Sequence, residues 1–116
     1  MIVGIGTDLV VIGRFKEMLA RRPHLAERLL TEAERALSIE SQAARFSAKE
    51  ALAKALGSPG GMRWLDCEVI KSPDGVPSFS ATGTVKARIE ALAIENIHLS
   101  ISHDGDYATT MVVCER

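Results

Sequence analysis

Residues 45–57, Arg-Phe-Ser-Ala-Lys-Glu-Ala-Leu-Ala-Lys-Ala-Leu-Gly, constrain the fold of this chain more than any other stretch. They read as one helix, with Ser41 as its N-cap, Gly57 as its stop and Pro59 just beyond. At about 100° per residue, Phe46, Leu52, Ala53 and Leu56 form an apolar stripe. Ala44, Ala48, Ala51 and Ala55 form a second face of small residues. A helix apolar on two sides belongs between other elements. Charges on such a helix are costly unless paired or turned towards an ion or ligand. This one carries Arg45, Lys49, Glu50 and Lys54, with Glu50 and Lys54 at i and i+4 beside Ser47, on a strip between the two faces. Two readings stay open here: a surface Glu–Lys pair, or one side of a binding site that needs a second carboxylate from elsewhere.

The rest of the chain supplies strands and shorter helices. Ile2–Ile5 reads as a buried strand ending in the polar tip Gly6-Thr7-Asp8, followed by the apolar run Leu9–Ile12 and a helix over 13–22 that Pro23 ends. Phe15, Met18 and Leu19 face inward on that helix. Residues 24–30 form a helical turn or two, and Thr31 with Glu34 makes a capping box for a short helix to about Ile39. Trp64–Lys71 and Val76–Ala81 alternate as strands around the turn Ser72-Pro73-Asp74-Gly75. A helix over 84–94 precedes a second hairpin, Ile97–Ser102 and Tyr107–Cys114, joined by His103-Asp104-Gly105-Asp106. The expectation is one α+β domain spanning 1–116, an antiparallel sheet with hairpins packed around a long central helix.

The 116 residues suffice for a single core, and their net charge of −1 gives no general pull towards nucleic acid or membrane. Basic character is local: Arg14, Lys16, Arg21, Arg22 and Arg28 stand against Glu17 and Glu27. No apolar run approaches the roughly 18–20 residues of a membrane span, and no signal peptide is evident. Cys67 and Cys114, a lone pair within strands, suggest core thiols in a reducing, cytoplasmic setting.

Three places carry polar residues that the fold does not demand. Asp8 follows a buried strand; it reads either as a ligand group at a strand end or as the N-cap of a helix starting at Leu9. With Glu50 it would form a sparse oxygen site, too small for calcium but suited to Mg²⁺ completed by water and substrate phosphate. Lys54 would meet the remaining phosphate charge, with Lys49 and Arg45 as further candidates. The loop 57–61 lacks a Walker-type signature, which argues against a small kinase. His103 reads as a base, as a ligand contact, or as a turn histidine bonded to Asp104 or Asp106. His98 alternates with the inward residues of its strand and reads as structural. Ligand spacing for zinc and a nucleophile elbow are both absent.

Gly4-Ile5-Gly6-Thr7-Asp8-Leu9-Val10 with Arg14-Phe15, the 45–57 helix, and Ser100-Ile101-Ser102-His103-Asp104 with Tyr107-Ala108 together resemble the holo-acyl-carrier-protein synthases. These are small 4′-phosphopantetheinyl transferases, and order and spacing match over nearly the whole chain. The resemblance implies transfer of phosphopantetheine from coenzyme A to a serine of apo acyl carrier protein, releasing adenosine 3′,5′-bisphosphate, for fatty acid or polyketide synthesis. It makes Asp8 and Glu50 ligands of Mg²⁺, with Asp8, Glu50 and Lys54 the catalytic set. Lys54 would hold phosphate charge, Arg45 and His103 would contact the nucleotide end, and Gly57 would border the pantetheine arm. Arg14, Met18, Arg21 and Arg22 match the region that docks the acidic carrier protein. A homotrimer with interfacial sites is implied, His103 acting from the neighbouring subunit. The competing expectation, a non-catalytic carrier-binding subunit of the same fold, predicts a broken carboxylate pair, whereas both Asp8 and Glu50 are present.

Overall fold

A computed structural model describes residues 1–116. The chain runs β1 (Ile2–Val11), α1 (Ile12–Arg21), α2 (Leu25–Leu29), α3 (Glu32–Arg35), α4 (Ile39–Ala55), a 3₁₀ turn (Trp64–Asp66), β2 (Cys67–Lys71), β3 (Pro77–Ala81), α5 (Gly83–Ala91), β4 (Asn96–Asp104) and β5 (Tyr107–Glu115). β5 is the centre of a three-stranded sheet ordered β1-β5-β4, and β2 and β3 form a separate ribbon, all antiparallel. The α+β expectation holds, and both expected hairpins form.

α4 is the long helix expected, and it holds the two halves of the core together. Leu52, Leu56, Ala51 and Ala55 pack with Cys67, Val85, Val112 and Cys114, while Ala43 joins Ile12, Phe15, Leu29 and Leu30. Phe46 stacks on Phe15 at 5.5 Å and meets Trp64 edge-on at 5.9 Å. Cys67 and Cys114 are free, buried thiols, and burial pushes Cys67 up to about 12.

The helix begins one turn before the expected cap. Ser38, not Ser41, is the N-cap, its side chain accepting from the Ser41 amide. At the other end the Ser58 amide donates to the Ala53 carbonyl and the Gly57 amide to that of Lys54, a Schellman closure with Gly57 at φ 82°.

Three other boundaries move. β1 is one continuous strand through Gly6-Thr7-Asp8, because the cross-strand pairing to β5 runs unbroken from Gly4 to Val11. Trp64–Asp66 is a 3₁₀ turn rather than strand, and α3 keeps its Thr31–Glu34 capping box but ends at Arg35. No helix is long and apolar enough to cross a membrane.

The candidate active site

Side chains alternate along β1, so Gly4, Gly6 and Asp8 share one face, and that face meets α4. A Cβ built on Gly4 would lie 2.0 Å from the Ala55 carbonyl oxygen, and one on Gly6 would lie 1.9 Å from that of Ala51. The next partner in this row is Asp8 with Ser47: Ser47 Oγ donates to Asp8 Oδ2 at 2.8 Å. Each two-residue step along the strand, about 6.6 Å, matches a four-residue step back along the helix, about 6 Å. Bare backbone at Gly4 and Gly6 lets the small-residue face of α4 sit directly on the strand. A short aspartate side chain one step further then reaches the helix.

Asp8 therefore does not cap a helix starting at Leu9. The first turn of α1 is capped from the β4–β5 turn instead, Asp106 accepting from the amides of Ile12 (2.8 Å, carbonyl) and Gly13 (3.2 Å, carboxylate). On its other side Asp8 Oδ1 lies 3.3 Å from Lys54 Nζ, which also donates to the Thr7 carbonyl at 2.8 Å. Glu50 lies within the field of both. Burial raises its carboxyl above the ordinary range, the Asp8 charge raises it further, and Lys54 opposes them. The structure thus brings Asp8, Ser47, Glu50 and Lys54 to one place at the β1–α4 contact. No group of three or more His, Cys, Asp or Glu side chains is placed to hold a metal ion. Two carboxylates that repel one another, Asp8 held by Ser47 and Lys54 and Glu50 without a hydrogen bond, are nonetheless a fitting donor set for a cation completed by phosphate and water.

The other charges of α4 separate sharply. Lys49, a candidate for phosphate, is wholly buried and committed elsewhere: its Nζ reaches Glu34 Oε1 at 2.6 Å and the carbonyls of Leu29 (2.8 Å) and Trp64 (3.0 Å). Glu34 also accepts from the Val69 amide at 2.9 Å. Arg45 is 7% exposed, its Nε has no partner, and burial lowers its pKa against the pull of Glu34 and Glu68. Gly57 stands at the mouth of the α4–3₁₀ loop, where Arg88 Nε donates to the Leu56 carbonyl at 3.0 Å. None of the sequence motifs pointed to Arg88 or to the buried role of Glu34. The capping box had already placed Glu34, but its second carboxylate function comes from a lysine fifteen residues away.

His103 lies at the end of β4, exposed, bordering a hollow of about 300 Å³ with Leu9, Ser102, Asp104, Tyr107 and Thr109. It is bonded to neither Asp104 nor Asp106, so the turn-histidine reading fails; Asp106 serves α1 instead. His98 sits on the outward face and meets Glu115 at 2.6 Å. Arg14, Glu17, Met18, Arg21 and Arg22 line an open hollow of about 510 Å³ on α1.

The model of the 4′-phosphopantetheinyl transferase superfamily matches residues 4–112. The chain belongs to that family. Holo-[acyl-carrier-protein] synthase of Micrococcus luteus is 54% identical over all of this chain and 94% of its own length. The enzyme of the same name from Salinispora arenicola is 52% identical, each chain covered in full. Among solved structures, the Neisseria meningitidis holo-[acyl-carrier-protein] synthase superposes with a TM-score of 0.91 at 30% identity, each chain covered in full. The Helicobacter pylori enzyme in complex with coenzyme A gives 0.84 at 32% identity, over 96% of this chain and 99% of that one. The resemblance drawn from the segments around Asp8, Glu50 and His103 is borne out at the level of family and fold.

Proposed function

We propose that this chain is a holo-acyl-carrier-protein synthase, moving 4′-phosphopantetheine from coenzyme A to a serine hydroxyl of apo acyl carrier protein. The observation that carries the reading is the meeting of Asp8, Glu50 and Lys54 where β1 crosses α4, in a chain of this family. Attack of an alcohol on a pyrophosphate requires neutralised charge and an in-line approach rather than a covalent nucleophile.

Asp8 and Glu50 would hold Mg²⁺, which when bound would offset the pyrophosphate charge. Lys54 would add a second positive charge from the helix. Glu50 is the acceptor we assign to the proton leaving the serine hydroxyl. Arg45 and His103 would contact the nucleotide end and Gly57 the pantetheine arm. The unpartnered Nε of Arg45 and the free imidazole of His103 support those two assignments. Arg14, Met18, Arg21 and Arg22 on α1 would dock the acidic carrier protein, with the enzyme working in the cytoplasm.

The same reading includes a homotrimer. Its support is the outward face of the β1-β5-β4 sheet, where Ile5 (60% exposed), Leu9 (64%), Tyr107 (51%) and Met111 (46%) lie on neighbouring strands. Large apolar side chains exposed together on one sheet face mark an association surface, and at its edge Leu9 and Tyr107 line a hollow with His103.

The test is incubation with coenzyme A, Mg²⁺ and apo carrier protein, read by the mass of the carrier. Gain of one phosphopantetheine, abolished by EDTA, supports the reading; an unmodified carrier overturns it in favour of the carrier-binding subunit. Arg14→Glu and Arg21→Glu should each raise the Michaelis constant for carrier by roughly tenfold and flatten its salt dependence. An unchanged constant in both removes α1 from the interface.

A further inference from the structure

Ser47 and Thr110 are almost wholly buried polar residues in an apolar neighbourhood: Ala48 and Ala51 on α4, Ala108 and Val112 on β5. Their hydroxyl oxygens are 2.9 Å apart, and Ser47 Oγ is 2.8 Å from Asp8 Oδ2. A carboxylate only accepts, so Ser47 uses its one proton on Asp8 and Thr110 must donate to Ser47. The chain of donors therefore has one direction, from β5 through α4 to β1. Thr110 is also the cross-strand partner of Asp8, which puts both on the inner face where α4 enters between them.

The sequence changes in step on both elements. Where β1 offers glycine, at Gly4 and Gly6, the facing helix positions are Ala55 and Ala51; where β1 offers Asp8, the facing position is Ser47. The row needs only a small residue for packing, and alanine would serve at all three. The hydroxyl at position 47 answers to the carboxylate.

We propose that Ser47 and Thr110 are positioning residues that occupy Asp8 Oδ2, leave a cation only Oδ1, the oxygen that faces Lys54 Nζ at 3.3 Å, and thereby favour a small divalent cation over a larger one. This rests on the reading of Asp8 and Glu50 as the cation-holding pair. Mg²⁺ demands a tight octahedron, whereas Ca²⁺ accommodates higher coordination numbers and carboxylates that chelate through both oxygens. A carboxylate with one oxygen already bonded to a buried hydroxyl resists chelation. Hydrogen-bond partners behind metal ligands are commonly worth on the order of 10- to 100-fold in metal affinity.

The experiment is calorimetric titration of Mg²⁺ and of Ca²⁺ into wild type, Ser47→Ala, Thr110→Val and Thr110→Ser, each with coenzyme A present, with thermal melting as a check on folding. Wild type should prefer Mg²⁺. Ser47→Ala should lose about tenfold in Mg²⁺ affinity and less, or nothing, for Ca²⁺, so that the preference falls. Thr110→Val, nearly isosteric, should shift the preference in the same direction by a smaller factor, and Thr110→Ser should restore it. A general loss of packing would weaken both ions alike. An unchanged Mg²⁺/Ca²⁺ ratio in Ser47→Ala and Thr110→Val, with wild type binding normally, overturns the proposal. Absence of Mg²⁺ binding by wild type itself overturns the underlying carboxylate-pair reading. If Ser47→Ala does not fold, the Thr110 pair decides alone.

Discussion

Lys49 and Glu50 occupy successive positions on α4, yet their charges meet different surroundings. The ammonium of Lys49 is wholly buried and satisfied by one carboxylate and two carbonyls drawn from α2, α3 and the 3₁₀ turn. Removing one member of such a pair leaves an uncompensated buried charge, so Lys49→Met should cost about 3–5 kcal/mol in urea unfolding, and adding Glu34→Gln should recover part of it. Recovery of nothing would mean that Lys49 acts through its carbonyl contacts alone. Glu50 is held in the opposite way, in a place that disfavours its charge through burial first and Asp8 second. Its folded pKa lies above the unfolded value near 4.5, so its contribution to stability is fully present below that value. That contribution is lost as the pH rises through the raised pKa. Glu50→Gln should therefore be more stable than wild type at about pH 8, without added cation, and the gap should close below about pH 4.5. A constant gap across that range would remove the strain from Glu50. A carboxylate kept where the empty fold disfavours it fits a residue retained for what it binds.

At the scale of elements, the decisive contact is β1 lying bare against α4. A methyl group at Gly6 would fall 1.9 Å from a helix carbonyl oxygen with no flexible side chain to yield. Gly6→Ala should thus lower stability by on the order of 3 kcal/mol and lengthen the Asp8–Ser47 approach. Loss of coenzyme A-dependent cation binding should exceed that in a variant equally destabilised elsewhere; equal loss would mean that the spacing of β1 and α4 does not govern the site. Much of this was legible in the sequence. The two apolar faces of α4, its glycine stop and both hairpins follow from local periodicity and turn chemistry, whereas the pairing of Asp8 with Glu50 rests on the family resemblance. The continuity of β1 was not, because Gly6-Thr7-Asp8 looks like a strand end until the last strand pairs with it. That partner lies about a hundred residues away, and no local pattern encodes the register Asp8↔Thr110. Ser47 was seen beside Glu50, but its bond to Asp8 is visible only once the glycine row is known. For the same reason Lys49 looked free: the acceptors that bury it come from α2, α3 and the 3₁₀ turn, none of them on its own helix.

At the scale of the whole molecule, the inner face of the three-stranded sheet is covered by α4, while its outer face presents Ile5, Leu9, Tyr107 and Met111. His103 pairs with the buried Ala108, so it shares the inner face with Asp8, but it stands on β4 at the far edge of the sheet, where it lines a hollow with Leu99 and Ile101. Within one chain β5 stands between Asp8 on β1 and His103 on β4, so in the proposed homotrimer the His103 of a neighbouring copy would complete the site. This arrangement has a consequence that no single-chain site shares. Glu50→Gln and His103→Ala should each be nearly inactive alone, yet mixing them under conditions that exchange subunits should restore activity. In a closed ring assembled at random from equal amounts, about one interface in four joins an intact Glu50 to an intact His103, so recovery should approach a quarter of wild type. Leu9→Glu with Met111→Glu, which would charge the apolar face, should yield single chains in sedimentation that keep their fold and lose transfer. Mixed variants that stay inactive despite proven exchange would place His103 and Glu50 in one subunit's site, and the outer face would then need another occupant.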